Sequence, residues 1–411
     1  MNNNKYYLLS FCIIGLLLLS QACNSPKKET IVSTGWWTGS IEMQGNTLNF
    51  GFEIQKNENT YAIRLKNGLE YLQLDDVVLQ KDSIHFTFHI FDAIVSAKIT
   101  ENNMIGFYKK NYIDGYVLPF KAQFEEYKPR IEIAGNSSFD GKWDMSFIGE
   151  NGEQSKGVGI FQQNGNQLSG TILTPVGDYR YLDGFVENSE FTLFSFDGNH
   201  AFIFKGRFNE DSVLKGDFWS GKDFHEKFEA VKNEQIELPD ANKLTYLKDG
   251  YDHLEFTFPG LDGIPVSLND ERFQNQVVII QIFGTWCPNC MDETIFLNEW
   301  YKKNKTKPIQ LLGLAYEAKD DFDYAKKRVE TMIKKLNVEY DFLIAGTSDK
   351  KKASKTLPML NHIMSFPTTI FIDKKGVIRK IHTGFSGPAT GIYYQNFKND
   401  FDEITEQLLN E

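Results

Sequence analysis

The chain has 411 residues, of which 41% are hydrophobic and 24% charged, and its formal net charge is −11 at pH 7. This length predicts two or three domains, and the composition is that of a globular protein, not a disordered one. An acidic chain without a long basic run argues against nucleic acid as a partner and against membrane attachment through charge alone. The high aromatic content, 14%, favours a β-rich part.

The first 22 residues have the features of a bacterial targeting segment. Lys5 gives a positive start, and the apolar run over residues 11–19 is too short to span a bilayer. Leu19-Ser20-Gln21-Ala22-Cys23 resembles a lipoprotein cleavage box, although Ser20 stands where leucine is usual. This resemblance implies that Cys23 becomes a lipidated N-terminus. The alternative is plain secretion with an incidental Cys23.

A duplicated β module is predicted to follow a polar tether over residues 23–34. Gly35-Trp36-Trp37 recurs as Gly141-Lys142-Trp143, and Gly106-Phe107-Tyr108 recurs as Gly216-Asp217-Phe218-Trp219. The offset between the copies drifts only from about 106 to about 110 residues, as in a repeat with small loop insertions. We therefore predict repeats over residues 35–127 and 139–232, a linker over residues 233–250 and a last domain over residues 251–411.

Alternating polarity predicts that these repeats are antiparallel sheets. Residues 84–90 place apolar side chains on one face and His85, Thr87 and His89 on the other, as in a strand buried on one side. Such strands close into barrels or stack as sandwiches, and the sequence leaves open one larger barrel or two small ones. Because no third ligand accompanies His85 and His89, we predict no metal site.

Residues 277–290 carry the strongest chemical motif. Val277–Phe283 is almost entirely apolar, β-branched or aromatic, as a strand covered on both faces of a sheet requires. After Cys287-Pro288-Asn289-Cys290, the period changes, since Cys290, Glu293 and Leu297 recur at helical spacing on one face. The pattern predicts a strand, a short turn, and a helix that opens with two cysteines.

This geometry gives the two cysteines different chemistry. Cys287 lies at the helix N-terminus, where free N–H groups stabilise a thiolate, whereas Cys290 lies one turn further in and is shielded. We predict that Cys287 attacks a substrate disulfide and that Cys290 resolves the mixed disulfide. The alternatives are half of a zinc site or two incidental thiols. A zinc site needs further ligands, but Cys12 and Cys23 lie far away in the sequence and the seven histidines are scattered.

The segment over residues 365–373 carries a second sequence signal, because it is predicted to be a strand that begins with an X–Pro bond. Proline cannot donate to the ladder, so Pro367 suits the first residue of a strand. Taken alone, it predicts a trans bond, since only about 5–6% of X–Pro bonds are cis in folded proteins.

The two signals together resemble the thioredoxin superfamily, and within it the TlpA-like and ResA-like extracytoplasmic thiol-disulfide oxidoreductases. The resemblance covers residues 251–411 and rests on the motif at residues 284–290, on Glu293 and on Phe366-Pro367-Thr368-Thr369. It implies that Pro367 is cis and lies beside Cys287. It also implies that Trp286 and Phe366 flank the exposed sulfur, and that Phe366 offers backbone groups to a bound substrate strand.

Two carboxylates complete the predicted site, which departs at one position from that of cytosolic thioredoxins. Cytosolic thioredoxins carry a buried aspartate six residues before the first cysteine, where this chain has Gln281. Glu293 resembles the buried glutamate of the TlpA-like branch, and we expect it to move protons to and from Cys290. Glu317 stands where this branch often has an acidic residue; the alternatives are ordinary solvated side chains at Glu293 and Glu317.

The fold class expected is therefore α+β and multidomain, with a duplicated barrel-like or sandwich-like module before a thioredoxin-like α/β domain. Further helices are predicted over residues 320–336 and near residues 351–360, and a closing helix includes Tyr394 and Leu408.

We expect a periplasmic, lipid-anchored thiol-disulfide oxidoreductase that acts as a reductase, by analogy with the family. Its expected partners are protein dithiols or disulfides and a membrane electron donor, and no cofactor is predicted. One alternative is a lipoprotein whose β module binds a ligand or partner while the redox domain is accessory. Another is a thiol peroxidase, although no threonine- and arginine-activated cysteine pocket is recognisable.

Overall fold

The computed structural model describes residues 32–58, 60–128, 137–211 and 213–411. The predictions for the signal peptide and for Cys23 lie outside these ranges. No helix within them is both long enough and apolar enough to cross a membrane. The described chain forms two β-barrels, barrel 1 and barrel 2, followed by a C-terminal α/β domain.

Barrel 1 is an up-and-down barrel in which each strand pairs with the next and the last strand returns to the first. Its strands are β1 (Gly35–Met43), β2 (Asn46–Asn57), β3 (Thr60–Asn67), β4 (Glu70–Gln80), β5 (Ser83–Phe88), β6 (Ala93–Thr100), β7 (Asn103–Lys110) and β8 (Val117–Gln123). Antiparallel pairing of β1 with β8 closes the ring, so no strand edge is left open.

Barrel 2 repeats this order after residue 137. Its strands are β9 (Gly141–Gly149), β10 (Gln154–Asn164), β11 (Gln167–Thr174), β12 (Gly177–Asp178), β13 (Leu182–Glu187), β14 (Glu190–Phe196), β15 (Ala201–Phe208), β16 (Leu214–Ser220) and β17 (Phe224–Lys232). β9 pairs with both β10 and β17, and β10 pairs with β11, which closes the ring; β12 is a short addition to β11. The structure thus answers the question left open by the sequence, since the repeats form two barrels in tandem.

Equivalent contacts in the two barrels confirm the duplication. Trp37 Nε1 donates to the carbonyl of Ser33 at 2.9 Å, and Trp143 Nε1 donates to the carbonyl of Phe139 at 2.8 Å. A Cβ on Gly216 would lie only 2.1 Å from a carbonyl oxygen of the neighbouring strand, so this repeat position requires glycine. Aromatic side chains fill both interiors, as expected for eight strands, whose ring is just wide enough for side chains.

Strand β5 is shorter than the predicted strand. It ends at Phe88, and His89 begins a 3₁₀ turn, so His85 and His89 do not share a strand. His85 Nδ1 lies 2.8 Å from Ser96 Oγ, and His89 Nε2 lies 2.6 Å from an oxygen of Asp76. Within the described ranges, no group of three or more His, Cys, Asp or Glu residues is arranged to hold a metal ion.

The C-terminal domain begins with a small hairpin of β18 (Thr257–Pro259) and β19 (Pro265–Ser267). A five-stranded mixed sheet follows, in which the strand Val277–Phe283 is central, with the strands Ile309–Glu317 and then Asp341–Thr347 on one side and the strands Thr368–Ile372 and then Ile378–Thr383 on the other. Its strands are β20 (Val277–Phe283), β21 (Ile309–Glu317), β22 (Asp341–Thr347), β23 (Thr368–Ile372) and β24 (Ile378–Thr383), and its helices are α1 (Pro288–Asn304), α2 (Phe322–Leu336), α3 (Lys350–Thr356) and α4 (Ile392–Asn410). Every residue of β20 is buried, as the sequence predicts for a central strand.

The segment predicted as a linker over residues 233–250 is partly docked. Leu247 forms an isolated β-bridge with Leu360, and Lys248 N donates to the carbonyl of Met359 at 2.8 Å. These backbone bonds explain why the predicted helix near residues 351–360 is shorter, since α3 ends at Thr356 and the following residues pair with the incoming chain.

The two barrels share a hydrophobic core. Phe196, at the end of β14 in barrel 2, is fully buried, and its ring lies 4.5 Å from that of Phe50 and 5.6 Å from that of Phe88 in barrel 1. Tyr108 OH of barrel 1 donates to the carbonyl of Gly198 at 3.0 Å. The turn at residues 197–200 of barrel 2 is therefore held by barrel 1, and it lies next to the C-terminal domain.

Candidate active site

The two cysteines lie where β20 gives way to α1. Cys287 is the N-cap of α1, and the backbone N–H of Cys290 donates to its sulfur at 3.2 Å. Cys287 is 7% exposed, whereas Cys290 is completely buried, and both are free thiols. Burial, followed by the hydrogen bond to Cys287, raises the pKa of Cys290. The amide of Cys290 points at the sulfur of Cys287, and of the two sulfurs only that of Cys287 is accessible from outside; the attacking and resolving roles stay a prediction.

The peptide bond between Phe366 and Pro367 is cis, which makes the trans bond predicted from the proline alone wrong. The base rate for X–Pro bonds carries no tertiary information, whereas the family resemblance supplied the correct isomer. The Cys287 thiol donates to the carbonyl of Phe366 at 3.4 Å, so this loop lies directly beside the sulfur. The rings of Trp286 and Phe366 meet edge to face at 5.5 Å, and Trp286 Nε1 donates to the carbonyl of Tyr316.

Glu293 is fully buried one turn after Cys290, in contrast to the solvated alternative. Thr369 Oγ1 donates to one carboxyl oxygen at 2.7 Å, and Gln281 Nε2 donates to the other at 2.8 Å. Burial raises the pKa of Glu293 to about 7, although both hydrogen bonds act in the opposite direction. A carboxyl poised near neutral pH can both take up and release a proton.

Gln281 connects this carboxyl to the dithiol helix. Its amide nitrogen also reaches the carbonyl of Cys290 at 3.4 Å, while its oxygen accepts from Thr294 and Tyr340 at 3.1 Å each. The side chains of Gln281, Glu293, Thr294 and Tyr340 are all buried, and each takes part in one of these hydrogen bonds. The position that carries an aspartate in cytosolic thioredoxins therefore holds a neutral residue that orients Glu293.

Glu317 is also buried, at the end of β21. Its two oxygens accept from the backbone N–H and the hydroxyl of Thr285, at 2.9 and 2.8 Å. Burial raises the pKa of this carboxyl, and the bonds to Thr285 lower it in part. Glu317 contacts the turn before Cys287 and not the sulfur itself, so its geometry is that of a positioning residue.

Loops of barrel 2 lie on the CxxC segment. Asn289 Nδ2 donates to the carbonyl of Asp178 at 3.0 Å, and Asn199 Nδ2 donates to the carbonyl of Trp286 at 2.7 Å. Ser365 Oγ, two residues before the cis proline, donates to the carbonyl of Val176 at 2.6 Å. The dithiol thus lies at an interface between domains and not on an open surface.

A buried arginine joins all three domains beside this segment. Arg180 of barrel 2 contacts Glu70 of barrel 1, lies 3.2 Å from an oxygen of Asp292 on α1, and donates to the carbonyl of Pro288 at 3.3 Å. Burial lowers the pKa of Arg180, but Asp292, Glu70 and Asp197 outweigh it, so the net pKa is raised. Burial raises the pKa of Asp292 to about 7 despite the guanidinium.

The structure brings together all the residues predicted for the redox site: Trp286, Cys287, Cys290, Glu293, Glu317, Phe366 and Pro367. It adds Gln281, Thr285, Thr369 and the barrel 2 residues, which the sequence analysis did not assign to the site. A signal existed for Gln281, because it is the one polar residue in the otherwise apolar strand β20; Thr369 lies opposite it in the register of β20 and β23.

Comparisons with known proteins agree with this geometry. Residues 248–394 match the Redoxin family. The chain is similar to the thiol-disulfide oxidoreductase ResA of Bacillus thuringiensis, 28% identical over 127 residues, which cover 31% of this chain and 65% of ResA. It is also similar to the thioredoxin-like protein YneN of Bacillus subtilis, 29% identical over 144 residues, which cover 35% of this chain and 76% of YneN.

A third relative is the thiol:disulfide interchange protein DsbE of Haemophilus influenzae, 28% identical over 135 residues, which cover 33% of this chain and 64% of DsbE. Among solved structures, a thiol-disulfide oxidoreductase from Bacteroides fragilis is 26% identical, and the match covers 36% of this chain and 99% of that one, with a TM-score of 0.27. The match to ResA spans less than two thirds of that relative.

The role of Glu293 can be tested with Glu293→Gln, which keeps the shape of the side chain but cannot carry a proton. A carboxyl with a pKa raised to about 7 is protonated below that pH and becomes a base above it. We expect the rate at which Cys290 resolves a mixed disulfide at Cys287 to rise through about pH 7 in the wild type. In the variant the rise disappears, and at pH 8 the rate is about 100-fold lower, a typical general-base effect.

Release of thionitrobenzoate from its mixed disulfide with Cys287, followed by stopped-flow absorbance, measures this rate. Glu299→Gln is the matched control, because this carboxyl lies on the same helix, α1, but is exposed to solvent. The control should keep the rise. An unchanged pH profile in Glu293→Gln would rule out proton transfer by this residue.

Proposed function

We propose that this protein is a thiol-disulfide oxidoreductase that reduces protein disulfides through Cys287 and Cys290. Its C-terminal redoxin domain, which is of the TlpA-like and ResA-like type, supports this proposal. The observation that carries the proposal is the unequal environment of the two sulfurs. Cys287 borders a cleft and receives an amide hydrogen bond, whereas Cys290 is sealed behind it with Glu293 one turn away. This is the arrangement that a sequential exchange requires.

In the first step, the Cys287 thiolate attacks one sulfur of the substrate disulfide. A Cys287–substrate bond forms, the substrate S–S bond breaks, and the leaving thiolate takes a proton from solvent. In the second step, Cys290 loses its proton and attacks the sulfur of Cys287. The substrate leaves as a second thiol, and two electrons have passed from the dithiol to the substrate.

Glu293 supplies the proton acceptor for the second step. The pKa of Cys290 is raised by burial, so its thiol needs a base that is close and also shielded from water. Glu293 lies on the same face of α1, and Gln281 and Thr369 fix its carboxyl through one hydrogen bond to each oxygen. In the reverse direction the same carboxyl returns the proton when the disulfide is reduced again.

The direction of reduction requires an electron source, which we propose to be a membrane dithiol donor in the bacterial cell envelope. The apolar segment over residues 11–19 and the box that ends at Cys23 support a lipid anchor that keeps the protein near such a donor. With Cys23 lipidated, Cys287 and Cys290 would be the only thiols between Asn24 and the C-terminus. Recovery of Cys23→Ala in the soluble instead of the membrane fraction would test the anchor.

Two other functions have less support from the geometry. A ligand inside the barrels has little room, because aromatic side chains pack both interiors. A thiol peroxidase needs an arginine that activates its cysteine, whereas Arg180, which reaches the carbonyl of Pro288, is paired with the carboxylates of Glu70 and Asp292. Neither alternative accounts for the buried Glu293 next to Cys290.

The exchange mechanism predicts opposite behaviour for two serine variants. Cys290→Ser should form a mixed disulfide with a substrate protein but fail to release it, because no resolving thiol remains. Cys287→Ser should form no such adduct, since Cys290 is completely buried. Turnover should fall to the uncatalysed rate in both. Non-reducing electrophoresis after acid quenching measures the adduct, and accumulation of an adduct in Cys287→Ser would contradict the assignment of roles.

Reductase and oxidase directions differ in the reduction potential of the pair. We expect a value near that of thioredoxin, about −270 mV, or lower, which lets the dithiol reduce typical substrates. Equilibration with dithiothreitol or glutathione buffers, followed by mass shift after alkylation, gives the potential. A value near about −120 mV would make the protein an oxidant and would overturn the proposed direction.

A further inference from the structure

The cleft above Cys287 is not formed by the redox domain alone. It has a volume of about 320 Å³, and half of its lining residues come from barrel 2. Trp286, Phe366 and Lys350 line one side, and Tyr179 and His200 line the other. The sulfur that must meet the substrate therefore faces a second domain across the cleft.

Hydrogen bonds to the redox domain fix the barrel 2 side of the cleft in place. The carbonyls of Val176 and Asp178 accept hydrogen bonds from Ser365 and Asn289, at 2.6 and 3.0 Å. The carboxylate of Asp178 accepts from the backbone N–H of Gly387 at 2.7 Å. Three bonds, to the first turn of α1 and to two loops of the redox domain, hold residues 176–178 over the CxxC segment, so the cleft has a defined width.

Barrel 1 fixes the rest of the wall. Tyr112 OH donates to Asn199 Oδ1 at 2.6 Å, while the amide nitrogen of Asn199 reaches the carbonyl of Trp286. A Cβ on Gly198 would lie 1.9 Å from the ring of Phe88, so the turn at residues 197–200 fits tightly against barrel 1. The imidazole of His200, which follows directly, is therefore presented to the cleft by both barrels.

The chemistry of the cleft suits a piece of polypeptide. Aromatic groups stand on both sides, with Trp286 against Phe366 at 5.5 Å and His200 stacked on Phe202 at 4.4 Å. The volume falls at the lower end of ligand sites, which run from about 300 to 1,000 Å³, so a few extended residues fit and the surface of a folded domain does not.

We propose that barrel 2 is the second wall of the thiol-exchange site, and that the cleft selects disulfides in extended, unfolded polypeptide segments. This inference rests on the proposed function. In the exchange, the substrate cysteine enters between Trp286 and Tyr179, its sulfur bonds to Cys287, and its former partner leaves as a thiol. The substrate disulfide is the oxidant, and the reduced Cys287–Cys290 pair supplies both electrons.

Single turnovers of the pre-reduced full-length protein test this selectivity. The substrates are an unstructured decapeptide with one internal cysteine and a folded domain with one surface cysteine, each as its mixed disulfide with glutathione; glutathione disulfide is the third. We expect the second-order rate constant for the peptide to exceed that for the folded domain at least tenfold. Equal constants for peptide and folded domain would overturn the proposal, as would faster reduction of glutathione disulfide than of the peptide.

Wall variants then locate the selectivity. Tyr179→Ala and His200→Ala should lower the second-order rate constant for the peptide about tenfold, while alkylation of Cys287 by iodoacetamide stays equal or becomes faster. Tyr251→Ala, which removes an aromatic side chain that is 51% exposed, is the matched control and should change neither. Since Tyr179 packs among barrel 2 rings, His200→Ala keeps the test valid if Tyr179→Ala does not fold.

The outcomes distinguish a failure of the proposed function from a failure of the proposed role of barrel 2. If the wild type reduces none of the three disulfides, the proposed function fails. If it reduces the peptide but both folded wall variants do so at the wild-type rate, the function stands and barrel 2 is not a substrate wall. Loss of peptide reduction together with slower alkylation would indicate a damaged dithiol and would also contradict the proposal.

Discussion

The arrangement of the three domains depends on one buried guanidinium. Arg180 contacts Glu70 of barrel 1 and Asp292 of α1, and its own barrel supplies Asp197. A charge buried this deeply is destabilising by several kcal/mol unless partners surround it, so the three domains must close around it together. Barrel 2 thereby acquires a fixed position relative to the first turn of α1, where Arg180 also binds the carbonyl of Pro288.

That position explains why a barrel without chemistry of its own can influence the dithiol. Barrel 1 holds the turn at residues 197–200, this turn binds the carbonyl of Trp286, and residues 176–178 bind Asn289 and Ser365. The contacts follow the chain order of the domains, from the first barrel through the second to the CxxC segment. The duplicated β module is thus part of the surroundings of the Cys287 sulfur.

The sequence predicted most of the redox domain because its signals are local. Val277–Phe283 is apolar because both faces of β20 are covered, and Glu293 could be placed beside Cys290 from helical spacing alone. The tryptophans at equivalent positions of β1 and β9 also predicted the duplication. The sequence did not predict the docking of barrel 2 on the CxxC segment. This docking depends on polar side chains such as Asn199 and Arg180, which lie in or next to loops and have no periodicity. Only the fold brings residues so distant in the chain together.

Burial has two effects at this site, and they reinforce each other. Packing the dithiol helix against the sheet raises the pKa of both Cys290 and Glu293, and the proposed proton transfer between them depends on both shifts. Barrel 2 covers the outer side of the dithiol. Cys287 is only 7% exposed, and a substrate has only a narrow path to its sulfur. A fully open site would lose the selectivity, whereas a fully closed one would lose the exchange. The cleft above Cys287 lies between these limits, and residues of barrel 2 set its width.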